Sequence, residues 1–82
     1  MRFLSHEQLG TLKGIPGTKV TIWRQEKAKK FPKRTPLSPQ RYAWVERVID
    51  TYLAALVAGH APEEATAIAE RDRERIAEAV RA

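Results

Sequence analysis

The chain contains no cysteine, which excludes a disulfide framework and every thiolate metal site. Histidine is nearly as scarce. His6 and His60 stand far apart with no ligand-spaced neighbour, so no zinc-centre signature is present. A glycine-rich phosphate loop is also missing. So are long apolar runs: the longest aliphatic stretch, Leu53 to Ala58, is six residues, against about 20 for a membrane-spanning helix. The segment from Met1 to Glu7 has no apolar region of the secretory type, which predicts a cytoplasmic chain. With 82 residues the chain is too short for a dinucleotide-binding fold or a barrel with a deep cleft. One small domain with a modest core is the expectation. Glu46 and Asp50, four residues apart, are read as the polar face of a helix rather than an acid/base pair. The reading is therefore of a protein that is not an enzyme and needs no cofactor or metal.

What the chain does have is positive charge in one place. Its formal charge is +5, but residues 1–58 carry eleven Lys/Arg against four Asp/Glu, 11 − 4 = +7. Residues 59–82 carry four against six, 4 − 6 = −2. Between Lys19 and Arg41 there are eight basic residues and a single acid, Glu26. A basic block beside a near-neutral tail of alternating charge suggests a polyanion-binding module joined to something different, unless the block is merely a solvated surface.

Local patterns divide the chain into five segments. Ser5-His6-Glu7-Gln8 fits a capping box, with Leu4 and Leu9 at the staple positions. It predicts a first helix from His6 to Leu12, stopping at Gly14. Gly14-Ile15-Pro16-Gly17 is a tight turn. Thr18 then caps a second helix from Lys19 to Lys29, poor in apolar residues and therefore presenting a large face outward. Phe31-Pro32 ends it. Lys33 to Trp44 reads as a short hairpin, with arms Lys33–Thr35 and Arg41–Trp44 and a loop Leu37–Gln40, although Pro36 and Pro39 weaken a strand reading. Val45, Val48, Ile49, Tyr52, Leu53, Leu56 and Val57 repeat with helical spacing and predict a third, core-facing helix closed by Gly59. Pro62 to Arg81 reads as a fourth helix with a thin apolar stripe interrupted by Asp72. Glu70–Glu74 and Arg71–Arg75 are like-charged pairs on it.

This order predicts a mainly α fold with a small β-hairpin. It is a winged helix-turn-helix over residues 1–59 with a C-terminal helical extension over 60–82. Such a module places its second helix in the major groove of double-stranded DNA. On a helical wheel Val20, Thr21, Arg24, Lys27 and Ala28 share one side, and Ile22 and Glu26 lie opposite. Arg24 suits a guanine, because its fork matches O6 and N7 together. Val20 and Thr21 suit a thymine methyl. Lys19 and Lys27 suit phosphates, and Lys33, Arg34 and Arg41 flank the wing loop. Trp23 sits at the boundary and is open to either a core or a DNA role. Trp44 and Tyr52 are expected in the core.

Thr21-Ile22-Trp23-Arg24, Phe31-Pro32-Lys33, Leu37-Ser38-Pro39, Ala43-Trp44-Val45-Glu46, Ile49-Asp50 and Tyr52-Leu53, together with the opening Arg2-Phe3-Leu4, occur in an order and spacing that resemble the AlpA family. These are phage and mobile-element regulators related to excisionases, with a MerR-like winged helix-turn-helix. The likeness covers about residues 2–58. It departs from the family where a glycine before the Phe-Pro step is replaced by Lys29, and where the turn before the second helix is longer. The resemblance implies one of two roles. The first is a recombination directionality factor, which binds repeated sites beside an attachment site, bends the DNA and assists a tyrosine integrase in excision. The second is a transcriptional regulator, for example of an integrase gene. It also implies a bacterial, nucleoid-associated location, but it does not reach residues 60–82. Residues 62–81 are expected to contact a neighbouring copy or an integrase, because one small domain has limited affinity and assembly on repeated sites multiplies it; the missing coiled-coil stripe favours a head-to-tail contact between copies. A different class of reading is a protein-binding adaptor or antitoxin-like partner whose basic block meets an acidic protein.

Overall fold

The structure, a computed structural model, describes residues 2–81. Strand β1 (Phe3–Leu4) leads into helix α1 (His6–Lys13) and helix α2 (Lys19–Lys27); strands β2 (Thr35–Ser38) and β3 (Arg41–Val45) form a hairpin; helices α3 (Glu46–Val57) and α4 (Pro62–Arg81) complete the chain. This is a winged helix-turn-helix with a C-terminal helix, mainly helical with one small antiparallel sheet in the order β1-β3-β2.

The capping box forms as the sequence predicts. Ser5 Oγ accepts from the Gln8 amide at 3.2 Å, and Gln8 Oε1 accepts from the Ser5 amide at 2.9 Å. Leu4 and Leu9, the staple pair, are both fully buried. At the turn into α2, Gly17 has φ +118°, and a Cβ there would lie 3.2 Å from the Thr21 methyl. Only glycine meets both conditions comfortably. Thr18 then caps α2, its Oγ1 accepting from the Thr21 amide at 3.2 Å.

Three details differ from expectation. Strand β1 has no counterpart in the sequence reading: two residues are too few to show an alternating pattern. It exists because Phe3 and Leu4 pair with Val45 and Trp44 of β3. The first arm of the hairpin is Thr35–Ser38 rather than Lys33–Thr35, so the turn narrows to Pro39-Gln40. Pro36 is accommodated because β2 is an edge strand with an irregularity between Pro36 and Ser38, the two settings where a missing donor is tolerated. Helix α2 ends at Lys27, two residues early. Lys29 there takes φ +60°, its amide donating to Glu26 O and the Lys30 amide to Gln25 O. This is a Schellman ending with lysine in the usual glycine position.

The core gathers Leu4, Leu9, Ile22, Phe31, Trp44, Val45, Val48, Ile49, Tyr52 and Ala55, and it extends into α4 through Ala65 and Ala69, both 0 % exposed. The expected boundary near residue 59 is thus a turn, after which α4 folds back along α3. The small alanines let the two helices approach closely. Asp72, expected to interrupt the apolar stripe, is buried and accepts from Arg47 Nε at 3.3 Å and Thr51 Oγ1 at 2.9 Å. It joins the same helix pair by polar means. Glu46 and Asp50 form the polar face of α3 and both pair with Lys13 of α1, at 3.2 and 2.8 Å. The hydrogen bonds from Lys13 to Asp50 and then to Glu46 hold its ammonium charged above the usual lysine range.

Candidate nucleic-acid interface

Two elements dominate the basic surface, helix α2 and the β2–β3 wing, and one short segment connects them. Phe31 makes edge contacts to Tyr52 (centroids 5.2 Å) and Trp44 (6.3 Å). Tyr52 OH donates to Lys30 O at 2.8 Å, and the Trp44 indole N–H donates to Pro32 O at 3.2 Å. These aromatic residues, placed by α3 and β3, fix where α2 ends and where the wing begins.

Beneath α2 lies Glu26, its side chain only 7 % exposed. Its Oε1 accepts from the Arg34 amide at 3.0 Å, and Oε2 faces Arg34 Nε at 3.5 Å. Burial pushes the Glu26 carboxyl above the usual carboxylate range, opposed by the Arg34 amide and charge, by Trp44 and by Lys33. The acid inside the basic block therefore ties the helix to the wing.

The wheel assignment agrees with burial. Ile22 and Glu26 face inward, while Val20 is 54 % and Trp23 41 % exposed. Lys19, Thr21, Arg24 and Lys27 are exposed along α2. The Lys27 ammonium sits 3.9 Å from the Trp23 ring centre, so Trp23 is a surface residue carrying a cation on its face. Thr21 Oγ1 lies 3.1 Å from Thr18 Oγ1, and its methyl lies over Gly17. Arg34 differs from the other candidates: it is half-buried, paired with Glu26 and stacked 4.6 Å over Tyr42. Its charge is committed to holding the wing.

The remaining cations fall on both flanks of α2. Lys19 and Arg41 share a cleft of about 410 Å³ with Gln40 and Tyr42 of the wing and Ser5 and His6 at the start of α1. Lys27, Lys29 and Lys33 line a second groove of about 810 Å³, between the end of α2 and α4. Gln40, Tyr42 and the start of α1 were not singled out from sequence. The capping box marked that helix start, but only the fold brings it beside the wing.

Pairing separates the cations into two sets. Arg2, Lys13, Lys30, Arg34, Arg47 and Arg73 are all in ion pairs. Among the described residues, Lys19, Arg24, Lys27, Lys29, Lys33 and Arg41 are in none, and all six belong to α2, the wing or the segment between them. Arg71 and Arg75 on α4 are unpaired as well. No group of three potential metal ligands occurs among the described residues, and no described helix is long and apolar enough to cross a membrane.

Comparison with known proteins adds no identification. No family model, no curated protein and no solved structure matches the chain.

Proposed function

We propose that this protein binds double-stranded DNA, with α2 in the major groove and the β2–β3 wing against the neighbouring backbone. The observation that carries the reading is the set of six unpaired cations on those two elements and their connection, in a chain whose other described cations are mostly neutralised by carboxylates. Helix α2, nine residues long, has with its side chains a diameter of about 10–12 Å, which suits a groove about 12 Å wide. In this arrangement Arg24 reads a guanine, Val20 and Thr21 contact a thymine methyl, and Lys19, Lys27, Lys33 and Arg41 meet phosphates. Arg34 holds the wing in place.

The resemblance of residues 2–58 to AlpA-type and excisionase proteins supports a narrower reading. The protein would act as an excisionase-type recombination directionality factor, bending DNA at repeated sites for a tyrosine integrase. Regulation of transcription by the same surface is the companion reading.

The four phosphate contacts predict a slope of log K against log salt of about −3.6. Binding to a labelled duplex between 50 and 200 mM salt (about that range is diagnostic) measures it, and a slope near zero refutes the proposal. Arg24→Ala should weaken binding to the cognate site by about 1–3 kcal/mol and relax selectivity at one base pair. Equal weakening on cognate and random duplexes would reduce Arg24 to a phosphate contact. An excision assay with an integrase and attachment-site DNA separates the directionality role from a purely transcriptional one.

A further inference from the structure

Helix α4 does more than complete the core. Four consecutive anchors hold residues 30 to 34, which link the end of α2 to the wing. Tyr52 takes Lys30 O, Trp44 takes Pro32 O, Glu26 takes the Arg34 amide, and Glu70 takes the Lys33 amide at 2.9 Å. The first three come from the helix-turn-helix, its wing and α3. The fourth comes from α4, 37 residues further along the chain. Glu70 is itself oriented: its second oxygen accepts from Arg73 Nη1 at 3.2 Å.

This one hydrogen bond carries unusual weight because of the space around it. The groove of about 810 Å³ separates α4 from the end of α2, with Trp23, Ala28 and Lys29 on one wall and Thr66, Ala67 and Glu70 on the other. Packing therefore does not hold α4 against this side of the linker continuously. Lys30–Glu63, at 3.8 Å between half-exposed side chains, is a weak second tie.

We propose that Glu70 is a positioning residue for DNA recognition, setting the spacing between α2 and the wing through the Lys33 amide. The proposal rests on the DNA-binding reading for its consequence, though not for the contact itself. It assigns α4 to the DNA-binding unit, in addition to any contact it makes with another protein. When the contact is lost, the base of the wing is freed, and Lys33 and Arg41 no longer meet phosphates together with α2.

The test compares Glu70→Ala with Glu70→Gln in the full chain. Both remove one negative charge, so they share any gain from reduced repulsion of DNA. Only glutamine keeps an acceptor for the Lys33 amide. Hydrogen exchange at Lys33 should quicken about tenfold or more in the alanine variant, the amount expected for losing a charge-assisted bond, and stay near wild type in the glutamine variant. On a 20-base-pair duplex (about two turns, long enough for one copy), the alanine variant should show a salt slope shallower by about 1 to 2, one or two phosphate contacts fewer. The glutamine variant should keep the wild-type slope. If the Lys33 amide is freed and the slope stays unchanged, or if both variants lose slope equally while only one frees the amide, the positioning role is overturned. Failure of the DNA reading looks different: the wild-type slope is then near zero. In that event amide chemical shifts of the free protein still judge the contact. Changes in Glu70→Ala that reach Arg34 to Arg41 support it, and changes confined to α4 overturn it.

Discussion

Replacing Lys29 by glycine should make this protein more stable, although it removes a side chain and adds none. Lys29 has φ +60° and is the one non-glycine residue with positive φ among those described. An L-residue in the left-handed region costs roughly 1–2 kcal/mol, because Cβ crowds the following carbonyl. Glycine removes that strain but has more freedom to lose on folding, a cost of about 0.5–1 kcal/mol. The difference leaves a net gain of about 0.5–1 kcal/mol. For a domain of this size, about 4–8 °C per kcal/mol, the melting temperature should rise by about 2–8 °C. Lys29→Ala is the necessary control. It deletes the same charge and the same methylenes from the groove but keeps a Cβ in the strained conformation, so it should show no gain. Thermal unfolding followed by circular dichroism reads both. The reasoning is refuted if the glycine variant melts no higher than the alanine variant. If Lys29 also meets a phosphate, both variants should flatten the salt slope equally, by about 0.9.

Three further outcomes follow from polar contacts in the interior. Glu26, raised in pKa by burial, binds its proton more readily folded than unfolded. Its contribution is therefore fully present below the ordinary carboxylate range and is lost as pH rises through the raised value; Glu26→Gln should flatten that part of the stability–pH profile, and an unchanged profile would mean that Glu26 is not the source. Asp72→Ala should cost about 1.5–3 kcal/mol in chemical denaturation, since it removes a charge-assisted bond from Arg47 and one from Thr51; a loss under about 0.5 kcal/mol would place Asp72 among ordinary surface charges. Trp44→Phe keeps an aromatic ring beside Phe31 but leaves the buried Pro32 carbonyl without its indole donor, for an expected cost of about 1–3 kcal/mol; exchange at the Lys33 and Arg34 amides should quicken alongside, and unaltered exchange would mean that the linker does not depend on this bond.

The elements that were legible in the sequence are those whose determinants are local. Ser5 and Gln8 specify the start of α1 within four residues. The seven apolar positions from Val45 to Val57 specify α3, and Pro62 marks the start of α4. Chemistry that depends on residues far apart in the chain was not legible. Strand β1 exists only because β3 offers it a partner. Pro36 argued against a strand, and only the sheet order places it on an edge. Asp72 looked like a flaw in an apolar stripe because its partners, Arg47 and Thr51, lie on a different helix. Arg34 looked like a free wing cation, since nothing in the sequence shows that Glu26 lies beneath it. For the candidate interface, composition located the basic block correctly along the chain. It could not separate the cations that are neutralised from those left free.

The prolines of the wing have a consequence for how molecules can be crowded together. A three-stranded sheet has two open edges, and each is a template for another strand. On one side β1 is only two residues long. On the other, Pro36 lies within β2 and Pro39 follows it directly, and neither has an amide proton to offer an incoming strand. Both edges therefore offer few amide donors to an incoming strand. Copies crowded together are thereby hindered from joining edge to edge into a continuous ribbon.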